Sequence, residues 1–78
     1  MKTPKRPVNL VDLLSDIEDL YTVVFLVIDH NGTRHLYDKD DVGFVDPELF
    51  ECMVESYDVD YLTNKKARVH IILKGGSA

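Results

Sequence analysis

Asp38, Asp40, Asp41, Asp46, Glu48 and Glu51 fall within one short run, DKDDVGFVDPELFE, with Lys39 as its one base. Crowded carboxylates can hold calcium, move protons or meet a basic partner, and each use needs its own spacing. With Asp38 first in a calcium loop, Asp40 stands third and Gly43 sixth, as an EF-hand requires. Val42 and Leu49 then occupy the fifth and twelfth positions, where ligands should stand, and the bidentate glutamate is missing. The segment before the run is also strand-like rather than helical. A helix-capped acidic loop is the better account.

Other chemistry-bearing residues are sparse. His30, His35 and His70 show no ligand spacing to one another or to Cys52, the only cysteine. Cys52 reads as a packed thiol. Gly75-Gly76 has no helix after it to cradle a phosphate. Catalysis also needs a concave pocket. A chain of 78 residues that commits its large apolar side chains to a core has little room for one. The expectation is a protein that is not an enzyme, with no metal, no cofactor and no small-molecule substrate.

The elements that must position these groups read as follows. Residues 1–8, MKTPKRPV, form a flexible basic arm; 9–74 form a single domain; 75–78 form a flexible tail. Asn9 caps a helix of about three turns whose apolar stripe is Leu10, Leu13, Leu14, Ile17, Leu20 and Tyr21. TVVFLVID (22–29) is a strand apolar on both faces, with Val24, Leu26 and Ile28 on one and Val23, Phe25 and Val27 on the other. Asn31-Gly32 marks a hairpin turn into TRHLYD. Asp46 and Pro47 open a second helix running to about Glu55. SYDVDYL alternates as a half-buried strand, TNKK turns the chain, and ARVHIILK is the last strand, with Ala67, Val69, Ile71 and Leu73 inward. The predicted class is α+β in the order α-β-β-α-β-β: a four-stranded antiparallel sheet with helices on one face. Two helices cannot cover both sides of strand 22–29. Val23, Phe25 and Val27 therefore predict a homodimer interface.

Composition places the chain among soluble cytoplasmic proteins. A lone cysteine allows no internal disulfide, and the longest apolar run, Val23 to Ile28, is too short to span a bilayer. No signal peptide is expected and no membrane partner. The net charge of −5 is unevenly laid out. Residues 38–60 hold nine acids and one base, and residues 61–78 hold four bases and no acid. Such patterning concerns partners more than fold.

On a second helix extended to Glu55, Glu48, Glu51 and Glu55 line one face, with Phe50 at the rim. Asp58 and Asp60 share a strand face about 7 Å apart, at two strand rises. Carboxylates at this spacing match the scale of a phosphate backbone and could occupy a basic DNA-binding cleft. Glu48, Glu51, Glu55, Asp58 and Asp60 would supply charge and Phe50 an apolar anchor. A competing reading uses Lys65, Lys66, Arg68, Lys74 and the arm's Lys2, Lys5 and Arg6 to bind nucleic acid. Exposed aromatics are lacking there, and edge lysines also serve to discourage sheet-to-sheet pairing.

YTVVFLVIDHNGTRHLY followed by PELFECMV and a strand resembles the small acidic uracil-DNA glycosylase inhibitors of phi29-like Bacillus phages. Tyr21, Val23, Asp29, Gly32, Tyr37, Phe50 and Glu51 fall in matching places, over about forty residues of this chain. Its first helix, its basic last strand and Val54, where that family carries an aromatic, depart from the pattern. The resemblance implies a homodimeric DNA mimic, phage-encoded and acting in the host cytoplasm, with Phe50 and Glu51 as contact residues. The leading expectation is an inhibitor that blocks a basic, DNA-binding host protein. The alternatives are an assembly protein that oligomerises through its apolar sheet face, and a nucleic-acid binder.

Overall fold

The computed structural model describes residues 1–41 and 45–75. Among these the order is α1 (Leu10–Glu18), β1 (Thr22–His30), β2 (Thr33–Asp38), α2 (Pro47–Phe50), β3 (Val54–Tyr61) and β4 (Lys66–Leu73). The class is α+β, as the patterning predicts. One mixed sheet runs β2-β1-β4-β3.

Each hairpin is antiparallel and local. Asn31 and Gly32 both take positive φ, 52° and 80°, in the β1–β2 turn, and Asn64 and Lys65 do the same between β3 and β4. The hairpins then meet through β1 and β4, which pair in parallel. This corrects the expectation of a fully antiparallel sheet. The reason is burial: β1 and β4 are the two most apolar strands, and joining them places both at the centre. The Asp-bearing β2 and β3 are left at the flanks.

Leu10, Leu13, Leu14 and Ile17 are the buried face of α1, and Asn9 Oδ1 accepts from the Asp12 amide at 3.0 Å as its cap. The helix stops at Glu18, so Leu20 leaves the stripe and stands 67% exposed. Both helices lie on one side of the sheet, over Val23, Leu26, Ile28, Val69, Ile71 and Leu73, with Val45 and Leu49 in the same core. A bulge at Val24 shifts the alternation of β1 and turns Val23 into that core. Val23 is therefore not on the face with Phe25 and Val27, as period-two counting had it.

Two further differences bear on the site. The second helix is a single turn. Asp46 Oδ1 caps it by accepting from the Glu48 amide at 3.0 Å, with Pro47 at its start. It ends at Phe50 because Val54 already belongs to β3, where its amide donates to the Val8 carbonyl at 2.9 Å. The expected helix to Glu55 does not form. The arm is also laid down rather than loose. Lys2 exchanges two backbone hydrogen bonds with Tyr57, at 2.7 and 2.8 Å, so residues 2–9 run along the outer edge of β3. The other outer edge, that of β2, has no such cover among the described residues.

Candidate functional site

The strand face turned away from the helices has no layer over it among the described residues. Register fixes its composition. Across β2-β1-β4-β3 the rows read Asp38, Phe25, Arg68, Asp60; then Leu36, Val27, His70, Asp58; then Arg34, Asp29, Ile72, Ser56. Phe25 is 38% exposed and Leu36 61%. Exposed Phe25 and Leu36, with half-buried Val27 and Ile72 beside them, thus form an open apolar patch with charge around it. Phe25, Val27, Arg68, His70, Asp58 and Asp60 line a depression of about 280 Å³ on this face.

Two ion pairs brace the surface. Arg68 Nη2 donates to Asp60 Oδ2 at 2.5 Å, between exposed side chains. Asp29 is the hub of the second group: Arg34 donates through Nε at 2.9 Å and Nη2 at 3.3 Å, and His70 Nε2 lies 2.6 Å from Oδ2. The Arg34 fork, then the His70 contact, hold the Asp29 carboxyl down at about 2 against a partial desolvation that opposes them. A depressed carboxyl stabilises the fold above its unfolded value near 3.8, and that contribution is lost as pH falls towards about 2. Asp29→Asn should therefore flatten the acid-unfolding profile between those limits. At neutral pH it should cost about 1 kcal/mol, because the pair is half-open to water. Acid titration of both proteins followed by circular dichroism checks this; superimposable profiles would remove the pair's role.

The remaining site predictions land in separate places. Asp58 and Asp60 do share a face, but it is the sheet side opposite the helices, and Asp60 is tied to Arg68. Glu48 is exposed on α2, Glu51 follows that helix, and Glu55 belongs to β3. The single helical row of Glu48, Glu51 and Glu55 is therefore not formed. Phe50 is half-buried against the core rather than projecting as an anchor. Of the predicted dimer residues, Phe25 and Val27 are on the open face and Val23 is not. Val42 and Gly43 of the acidic run lie outside the described residues. At the end of β2 the Asp41 carboxyl is pushed up by the Asp38 carboxylate beside it, a sign of like-charge crowding.

Sequence spacing missed two proximities. Cys52, expected within the second helix, follows it instead, and its Sγ sits 3.9 Å from His30 Nε2 while donating to the Glu48 carbonyl at 3.6 Å. The residues are 22 positions apart, and they meet because β3 starts at the end of the sheet where β1 finishes. The Asp29–His70 contact spans 41 positions and depends on the parallel pairing. No group of three metal-ligating side chains gathers among the described residues, and no helix of the described residues is long and apolar enough to cross a membrane. Comparison with protein-family models, curated proteins and solved structures finds no match to this chain.

Proposed function

We propose that the chain is a non-enzymatic protein-binding module whose open sheet face receives a basic protein. The carrying observation is the open apolar patch of exposed Phe25 and Leu36 with half-buried Val27 and Ile72, flanked at both sheet margins by carboxylates. Apolar contact supplies tightness at the centre of an interface, and a charged rim supplies steering and selection. Asp29 and Asp60 are neutralised by Arg34 and Arg68 within the chain. Asp38 and Asp58 carry no ion pair among the described residues, so the rim is net negative and selects a positively charged surface.

Proteins that bind nucleic acid are the obvious owners of such surfaces. The reading keeps an inhibitor that occupies a DNA-binding cleft, but moves its contacts: Phe25 replaces Phe50 as anchor, and Asp38 and Asp58 carry the charge in place of Glu48, Glu51 and Glu55. Glu48 and Glu51, at α2, and Glu55, on β3, are exposed and serve solubility. The uracil-DNA glycosylase inhibitors, with their Phe-Glu contact, then describe a strategy in common rather than a shared site.

The test uses three baits on host lysate at low salt: wild type, Phe25→Thr/Asp58→Lys, and Glu48→Lys/Glu51→Lys. A captured basic protein should then be purified and titrated against each. We expect salt-sensitive binding by wild type and by the helix-side variant, and about a hundredfold loss for the face variant, since an anchor and a rim charge go together. Equal affinity across the three baits would refute the reading. If the face variant instead changes the mass of the protein alone, the face is closed by a second copy.

A further inference from the structure

β2 is the one uncovered sheet edge among the described residues, since the arm occupies the edge of β3. A bare edge is a template for another strand. The two-residue turn sets which backbone groups are free. His30 and Thr33 close the hairpin as a hydrogen-bonded pair, so the ladder alternates from there. Thr33, His35 and Tyr37 bond inward to β1; the amides and carbonyls of Arg34, Leu36 and Asp38 point outward.

The charge of the strand is antisymmetric about Leu36. Arg34 lies two positions before it and Asp38 two after, and all three side chains stand on the open face. Antiparallel pairing of two β2 strands centred on Leu36 sets Arg34 against Asp38 of the other copy twice, with the two Leu36 side chains between them. The same register aligns the outward backbone groups with each other. A slip of two residues sets Arg34 against Leu36 and loses both ion pairs; a slip of one turns the side chains to opposite faces. Asp38 is also where a cation is wanted, because its carboxylate crowds Asp41. Arg34 holds Asp29 through Nε and Nη2, leaving Nη1 for a second carboxylate.

We infer that two copies join edge to edge through β2, Arg34 meeting Asp38 across a two-fold axis at Leu36, to form one eight-stranded sheet. The occupant is a second copy of this chain, because the edge complements itself. This contact takes Leu36 and Asp38 from the β2 margin of the open face and leaves Phe25, Val27, Ile72 and Asp58 uncovered, so it does not rest on the partner proposed above.

Sedimentation equilibrium on the full chain should give twice the 8.9 kDa monomer mass. Asp38→Arg should weaken association about tenfold or more, the equivalent of two exposed pairs turned repulsive. Phe25→Thr should leave it unchanged. Amide exchange supplies a readout that needs no substitution: protection of the Leu36 amide should rise with protein concentration, while that of His35 stays constant. A monomer up to millimolar concentration, or a dimer in which the Leu36 amide exchanges freely, overturns the inference. A dimer abolished by Phe25→Thr and untouched by Asp38→Arg also overturns it, and would assign the contact to the face.

Discussion

Ile71→Ala should cost about 2–5 kcal/mol, and its neighbour Ile72→Ala less than half as much. The two residues are chemically identical and adjacent on the central strand β4. Ile71 is fully buried beneath the helices, between Ile28 of β1 and Tyr57 of β3. Ile72 stands half-buried on the open side, between Asp29 and Ser56. A domain of this size carries about 4–12 kcal/mol in total, so the first change removes a large share of it. Its melting temperature should fall by about 10 °C or more. Thermal and urea unfolding of the pair measures the asymmetry directly. Equal losses would mean that both faces of the sheet are covered in solution, and the site proposed here would then be an interior.

Truncation of residues 1–8 should be nearly as damaging. The arm contributes Val8, which packs on the core, and three backbone hydrogen bonds to β3 through Lys2 and Val8. Burial of one valine and these bonds together stabilise by about 2–4 kcal/mol. A second effect is qualitative. Without the arm both outer strands are bare, and each copy can pair on two sides. The truncated chain should therefore scatter light in a concentration-dependent way, where the full chain stays at a small defined mass. A truncated protein that melts at the same temperature and stays monodisperse would show that the arm is ornamental.

Much of the architecture was legible in the chain because local chemistry dictates it. Asn9 and Asp46-Pro47 mark helix starts, and Asn31-Gly32 and the Asn64 of TNKK mark turns, each through backbone demands that few residues meet. The alternation of Ala67, Val69, Ile71 and Leu73 reads correctly as an inward face. What failed depends on non-local terms. Val24 sits in a bulge, and one extra residue moves Val23 from one side of the sheet to the other. Parallel pairing of β1 with β4 leaves no trace in period-two patterning, since both partners are apolar whichever way they run. The expected helix from Asp46 to about Glu55 includes Val54. Its amide bonds to an arm 46 positions earlier, which favours the strand.

The candidate site inherits those errors. Carboxylates adjacent in sequence are distributed over the helix side, the β3 edge and the open face. Phe25, expected as a dimer contact, stands on the open face, where the proposed function makes it the anchor.

The position of β4 has a consequence for how the molecule comes into being. It is the last strand in sequence and an inner strand in space, and its parallel partners, such as Thr22 and Lys66, lie over forty residues apart. Either hairpin can close early and quickly, yet neither has a core without the other. The rate-limiting event should be their docking, with a large loop to close beforehand, so this small domain should fold slowly for its size. A nascent or clipped product that ends before Lys66 has nothing to complete the middle of its sheet. Such a fragment would offer the most hydrophobic flank of β1 to chaperones and proteases rather than rest in a nearly native state.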